Sequence, residues 1–218
     1  MKNCIALENQ TTRRILLVAY ATALVVALMV SLPHPAHADH VTPPPMPANI
    51  QVPAGNKAFT EGHAVGTQDY IYLPSGTGFA WIFFGPQATL FNNNHEQIIT
   101  HFLSPNPFES GTPRATWQHS RNTSTVWATT NVSSSEPAFV APGAIPWLRL
   151  QVVGAQDGQT GGPKLTATAF IQRLNTSGGV APSTGCTSSI DVGKKVLVPY
   201  TADYFFYKAG KGHADDDD

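Results

Sequence analysis

The sequence predicts an all-β fold, a single antiparallel β-sandwich or barrel-like domain with long loops. Three observations support this class. Short runs rich in Val, Ile, Thr and aromatic residues alternate between polar and apolar side chains, as half-buried strands do. Turn-forming residues separate these runs about every 8–12 residues, and 18 Gly and 18 Pro supply many of them. No window of helical length carries a 3.6-residue apolar stripe with capping residues.

The predicted strands follow one another along the domain. The first, 63–73, alternates, with Tyr70 and Tyr72 on the face opposite Asp69. The later runs lie at 79–84, 88–91, 97–103, 116–120, 123–132, 147–153, 164–175 and 195–207. In the last run, alternation places four side chains on one face: Tyr200, Ala202, Tyr204 and Phe206.

The chain begins with a segment typical of an export signal, which we assign to residues 1–38. Lys2, Arg13 and Arg14 accompany an uncharged apolar run, and the small-x-small motif at 36–38 is typical of a signal-peptidase site. An uncleaved anchor is the alternative, because about 18 apolar residues is the lower limit for crossing a bilayer. We therefore expect a secreted or periplasmic protein with no membrane span after cleavage.

Two further segments flank the predicted β domain, which we place at 54–208. Residues 39–53 include three consecutive prolines and predict an extended, polyproline-like lead-in. Residues 209–218 end in four Asp residues, which repel one another and bury no apolar surface. We therefore expect this acidic tail to be disordered.

Charge and motifs exclude several classes of function. A formal net charge of -1 gives no electrostatic footprint for nucleic acid, and we expect a monomer without a nucleic-acid partner. The chain has no Gly-x-Ser-x-Gly elbow, no Walker loop and no strand-GxGxxG-helix unit. Serine-hydrolase and nucleotide chemistry therefore lack support.

Long stretches of the domain resemble one protein family. The most specific are EGHAVGTQ at 61–68, PGAIPWL at 142–148, IQRLNTSGG at 171–179 and PYTADYFFY at 199–207. Shorter matches lie at 52–55, 81–83, 88–91, 100–102 and 117–120. Together they cover essentially the whole mature chain, which resembles the exported domain of unknown function numbered 3455 (DUF 3455).

The resemblance implies an exported β domain with no assigned activity. It also implies that relatives often carry a cysteine where this chain has Tyr72, as the partner of the residue that matches Cys186. By this comparison the chain has lost a cross-link and keeps an unpaired thiol.

Three histidines form a candidate metal site: His63, His101 and His119. All lie on or beside predicted strands, and three imidazoles with one open position make a catalytic zinc or copper site. No close spacing such as His-x-His supports this arrangement. The alternative is that each imidazole is hydrogen-bonded within the sheet or at its edge, and we predict no cofactor.

A polar and aromatic cluster is the candidate ligand site, with Trp117, His119 and Arg121 after the loop 104–113 and Tyr204 in the last strand. Binding residues often occupy loops held by a rigid scaffold, and exposed Trp and Tyr stack on sugars or on a protein partner. The alternative is that these aromatic residues form the core. We expect Asp203 to bond to the backbone or to Arg173.

These observations predict a non-enzymatic binding or structural protein of the cell envelope or extracellular space. Its expected partner is carbohydrate or another envelope protein. The alternative is a metal-dependent enzyme that uses the histidine cluster.

Overall fold

The computed structural model describes residues 41–159 and 161–210. In this part of the chain, eight antiparallel strands form a closed barrel in which each strand pairs with the next and the last pairs with the first. The strands are β1 (Asn56–Ser75), β2 (Gly78–Phe91), β3 (Gln97–Asn106), β4 (Thr112–His119), β5 (Thr125–Ser134), β6 (Trp147–Gln156), β7 (Phe170–Gly178) and β8 (Lys195–Ala209). The predicted all-β antiparallel class is confirmed, as a barrel.

Some sequence-based expectations lie outside the described residues. These are the signal peptide at 1–38, the start of the lead-in and nearly all of the acidic tail. Within the described ranges the helices are single 3₁₀ turns, at Ala48–Ile50, Pro107–Glu109 and Ser189–Asp191. None of the helices found there has the length and hydropathy of a membrane-spanning helix.

Strand alternation fills the barrel interior with apolar side chains from every strand. The fully buried members include Leu90, Ile99, Trp117, Ile171 and Phe206. The predicted shared face of Tyr200, Ala202, Tyr204 and Phe206 in β8 is confirmed, and it points inward, because all four belong to this interior cluster. Burying a side chain of this size contributes roughly 1.5–3 kcal/mol, so the interior is the main source of stability.

A second apolar cluster covers the outside of the barrel beside β6, β7 and β8. Its buried members are Ile50, Val140, Trp147, Leu174, Phe205 and Tyr207. The lead-in lies over this face, and the Gln172 side-chain amide donates a 2.7 Å hydrogen bond to the Ile50 carbonyl oxygen. The proline-rich segment is therefore part of the folded domain, and it covers the outward-facing apolar residues of β7 and β8.

The connection between β3 and β4 is shorter than the predicted loop at 104–113. β3 extends to Asn106, and β4 begins at Thr112. The Asn106 side chain accepts a hydrogen bond from the Phe108 backbone N–H and so caps the 3₁₀ turn between the strands. The Pro residues at 105 and 113 pair across the ladder, which extends the hairpin into the segment that the sequence indicated as loop.

The barrel wall opens between β2 and β3. β2 pairs with β1 along almost its whole length, but with β3 only from Ala88 to Phe91. Beyond the Ala88–His101 pair, β3 continues along β4 alone. The two strands therefore diverge and leave a gap at one end of the barrel.

Shortening the side chain of Ile50, which anchors the lead-in to the barrel, will measure how much this segment stabilises the domain. Ile50 is fully buried in the outer cluster, so we expect Ile50→Ala to lower the free energy of unfolding by about 2–5 kcal/mol. Ile190→Ala is the matched control, because Ile190 is 88% exposed, and we expect a change within about 0.5 kcal/mol. The measurement is equilibrium denaturant unfolding. Equal effects of the two variants would contradict the assignment of the lead-in to the folded domain.

Candidate functional site

A cavity lies inside the barrel, at the end where β2 and β3 diverge. Its volume is about 100 Å³, and all eight strands contribute to its wall. The lining residues are Gln68, Phe83, Pro86, His101, Leu103, Ala115, Trp117, Thr130, Leu148, Leu150, Arg173 and Tyr204. This is the position at which a small eight-stranded barrel can hold one small ligand.

Three stacked or tilted rings form the aromatic part of the wall. His101 stacks on Trp117 with ring centroids 4.2 Å apart and planes 11° apart. Tyr204 contacts both, with centroids 5.2 Å from His101 and 5.7 Å from Trp117. These rings are almost completely buried, so their packing fixes the shape of the cavity.

His101 is neutral at physiological pH. Burial lowers the pKa of His101 to about 3, against the opposing effect of its hydrogen bond to the Thr116 carbonyl, and the positive charge of Arg173 lowers it further. Its Nδ1 lies 2.8 Å from the Thr116 carbonyl oxygen. Because a carbonyl can only accept, Nδ1 carries the proton and Nε2 holds the lone pair.

Three hydrogen-bond donors in the cavity wall are buried without a partner among the described residues. They are Gln68 Nε2, Trp117 Nε1 and Arg173 Nε. The Arg173 side chain does have other partners, because its Nη2 donates to the Pro146 carbonyl oxygen at 2.8 Å and its guanidinium interacts with the Tyr204 hydroxyl. The Gln68 side chain also approaches the Tyr200 hydroxyl. An unsatisfied buried donor costs about 1–3 kcal/mol, so their occurrence together in one wall requires an explanation.

The cavity has a positive charge without a counter-charge. No carboxylate lines it, and Arg173 is absent from the ion pairs of the described chain, all of which involve other residues. The same positive charge acts to lower the pKa values of Tyr200 and Tyr204, although burial dominates and raises both. The cavity therefore favours a negatively charged or electron-rich group.

An outer cleft of about 620 Å³ lies in the gap between β2 and β3. It shares Pro86, His101 and Leu103 with the interior cavity. Phe84 lines the cleft and is 37% exposed, whereas Phe83 lines the interior cavity and is 47% exposed. The cleft is therefore the route by which a small molecule would reach the interior.

Two of the four predicted ligand-binding residues meet in the cavity, and two lie elsewhere. Trp117 and Tyr204 share its wall, but Trp117 is only 1% exposed and offers no stacking surface to a sugar in solution. His119 ends β4, and its Nδ1 accepts from the backbone N–H groups of Arg121 and Asn122. The exposed Arg121 side chain lies 3.5 Å from Glu96.

The three predicted metal-ligating histidines occupy separate places. His101 is inside the barrel, and His119 is at the β4–β5 turn. Among the described residues, ligand atoms of His, Cys, Asp and Glu converge within 4.8 Å in one group, Glu61, His63 and Asp203. His63 is the single predicted ligand in that group, so the geometry gives the three-imidazole arrangement no support.

The group around His63 is internally hydrogen-bonded. Nδ1 of His63 lies 2.7 Å from Asp203 Oδ1, and Nε2 lies 2.7 Å from Asn93 Oδ1. The bonds to Asp203 and Asn93 raise the pKa of His63, and burial raises the pKa of Glu61. Asn175 donates to the other oxygen of Asp203. The group therefore ties β1 and β8 to the β2–β3 turn.

Sequence reasoning missed two of the three buried donors in the cavity wall, Gln68 and Arg173. The sequence offered Arg173 or the backbone as the partner of Asp203, but the register places Leu174 opposite Asp203 and Arg173 opposite Tyr204. Arg173 therefore faces the interior and Asp203 faces outward. The signal was available in the alternation, because Arg173 lies two residues after the core residue Ile171 and Gln68 lies two before Tyr70.

One cysteine, Cys186, lies within the described ranges, and its thiol forms no disulfide. Burial, followed by the nearby Cys186 thiol, raises the pKa of Tyr72. The thiol is therefore near enough to interact electrostatically with Tyr72, the position at which the family resemblance implies a second cysteine.

The pH dependence of stability will test the neutral state of His101. Because its folded pKa is below the unfolded value of 6.5, the unfolded chain binds more protons between about pH 3 and 6.5, and His101 lowers stability as pH falls through that window. We expect His101→Asn to reduce the slope of Tm against pH in this window. The raised pKa of His63 acts in the opposite sense, and its stabilisation is lost as pH rises above 6.5.

The control for this experiment is His95→Asn, because His95 is exposed in the β2–β3 turn and Asn tolerates its positive φ. The comparison uses slopes, since the smaller Asn side chain also lowers stability at every pH. An unchanged slope in His101→Asn would show that the buried imidazole does not resist protonation.

The comparisons with known proteins add a family and no activity. No curated protein and no solved structure matches the chain. The model of one protein family, described as "Protein of unknown function (DUF3455)", matches residues 53–208. This range runs from the end of the lead-in almost to the end of β8, and with it the predicted resemblance is confirmed: the chain belongs to the DUF3455 family.

Proposed function

We propose that this chain is an exported, non-enzymatic binding protein of the cell envelope or extracellular space that holds one small ligand inside its barrel. The observation that carries the proposal is the set of three unpartnered donors in the cavity wall. The N-terminal sequence supports export, since it has the charge, apolar run and small-x-small motif of a signal.

Energetics favour a ligand that accepts hydrogen bonds. Three unsatisfied donors at about 1–3 kcal/mol each would amount to a large part of a typical domain stability of about 5–15 kcal/mol. A bound molecule with acceptor atoms would remove this cost. The same donors would then contribute to its affinity, because a site built around hydrogen bonds rejects molecules that cannot make them.

The size and chemistry of the cavity favour binding over catalysis. About 100 Å³ is well below the roughly 300–1,000 Å³ of drug-sized ligand pockets, so the ligand is small. His101 has no carboxylate beside it in the cavity to act as an orienting partner, and its Nδ1 proton is engaged by a backbone carbonyl. The wall therefore supplies groups that bind and orient, without a nucleophile paired to a base.

Filling the cavity will test the proposal. We expect protein purified from its native compartment to release a near-stoichiometric small molecule on denaturation, detected by mass spectrometry of the extract. Ala115 lines the cavity, so Ala115→Leu should abolish this release. The matched control is Ala138→Leu, because Ala138 is exposed outside the cavity, and it should release as much as the unchanged protein.

The released molecule should also raise Tm when it is added back, by an amount that corresponds to about 2.7 kcal/mol at a concentration of 100 Kd. The proposal fails if the purified protein releases nothing and Ala115→Leu is simply more stable. In that case the cavity is a packing defect of the core.

Export will be tested by the N-terminus of the purified protein. Cleavage after 36–38 predicts a mature chain that starts at Asp39, and intact-mass measurement of the periplasmic or secreted fraction will detect it. The full-length mass in the membrane fraction would instead support an uncleaved anchor.

A further inference from the structure

We propose that the ligand of the interior cavity is a small monocarboxylate with a short apolar body, and that its carboxylate pairs with Arg173. This inference rests on the proposed function, since it names the chemical class of the molecule that the barrel holds. Charge, hydrogen-bonding capacity, and size with apolar lining each support it.

The charge argument starts from the isolation of Arg173. Its guanidinium has no ion-pair partner among the described residues. Its Nε is buried, although the residue as a whole is half-buried and also interacts with the Tyr204 hydroxyl. An uncompensated buried charge is strongly destabilising, whereas a paired one is tolerated. The neutral His101 adds no second positive charge, so a ligand with one negative charge would balance the cavity.

The hydrogen-bonding argument concerns the number of free donors. A carboxylate has two oxygens and about four lone-pair sites. The wall offers Arg173 Nε, Gln68 Nε2 and Trp117 Nε1, which have no partner in the described protein. Guanidinium and carboxylate groups also form paired, charge-assisted hydrogen bonds, which are stronger than neutral ones.

The third argument is the apolar remainder of the wall. Phe83, Leu103, Ala115, Leu148 and Leu150 line the same cavity. They would surround a short hydrocarbon or aromatic group attached to the carboxylate. The small volume excludes a long acyl chain. A doubly charged ion such as phosphate would bring a second negative charge, and the wall has no second positive charge to balance it.

The outer cleft differs from the interior in charge. It contains the carboxylate of Asp69, whose oxygens accept from Thr67 Oγ1 and Gln87 Nε2, each at 2.6 Å. This carboxylate repels an anion in the cleft, so the site of lowest energy for the ligand is the interior cavity. The cleft is the passage and Arg173 is the anchor.

The experiment is isothermal titration calorimetry on the mature protein after removal of bound small molecules by unfolding and refolding. The probes are butyrate and benzoate, their neutral amides butyramide and benzamide, and inorganic phosphate. We expect at least one carboxylate to bind about tenfold or more tightly than its amide. Its binding should shift the Trp117 indole N–H signal in an ¹H–¹⁵N spectrum, identified by comparison with Trp117→Phe.

Variants separate the role of the anchor from a general effect on folding. We expect Arg173→Met to lose about tenfold or more of the carboxylate affinity and no amide affinity, and Arg173→Lys to lose less because it keeps the charge. The matched control is Arg149→Met, because Arg149 bonds to Asn131 and the lead-in away from the cavity. If Arg173→Met fails to fold, the carboxylate-to-amide ratio and Arg173→Lys still decide.

The outcomes distinguish this inference from the proposed function. Equal binding of acid and amide, or tighter binding of phosphate, would overturn the monocarboxylate and leave an interior binding site in place. A carboxylate affinity that is unchanged in Arg173→Met would remove Arg173 as the anchor. No binding of any probe, together with no released molecule from native protein, would overturn both.

Discussion

The pairing of β8 with β1 is the interaction on which the rest of the structure depends. It runs from the Asn56–Ala209 pair to the Ile71–Lys195 pair and turns a meander of strands into a closed barrel. Closure removes the two free edges that an open sheet would expose. It also brings Gln68 from β1 and Tyr204 from β8 into one wall with residues of the six intervening strands, so the cavity exists only because the ladder closes.

Strands β7 and β8 are buried on both faces over part of their length. Their inward residues fill the barrel, and outward residues such as Leu174 and Phe205 lie beneath the lead-in. This explains the four consecutive aromatic residues at 204–207 in β8, because both faces of the strand are covered over that segment. It also explains why the proline-rich lead-in is part of the folded domain. Its extended backbone lies over the sheet, and its carbonyl groups remain free to accept hydrogen bonds, as that of Ile50 does from Gln172.

The sequence predicted the fold class, the family and the shared inward face of β8, because these depend on local alternation and on long matching motifs. It also selected Trp117 and Tyr204 as members of a site. It did not place Arg173, although alternation puts that residue on the face of Ile171. The alternative of a bond to Asp203 depends on the β7–β8 register, which the sequence does not show and which sets Leu174 opposite Asp203. Asp203 and Arg173 are diagonal neighbours in the β7–β8 ladder, yet one faces outward with His63 and the other faces the cavity. The gap between β2 and β3 and the separation of the three histidines leave no signal in the sequence. Each depends on which residues of neighbouring strands pair and on where that pairing ends.

The short ladder between β2 and β3 has a consequence for motion. The segment of β2 before Ala88 is hydrogen-bonded to β1 alone, so its other edge has no strand to hold it. Such a segment exchanges its amide hydrogens through local opening, at a free energy far below that of global unfolding. Under the proposed function, a small molecule would enter and leave through such local opening while the remaining seven ladders, including the one that closes the barrel, stay intact.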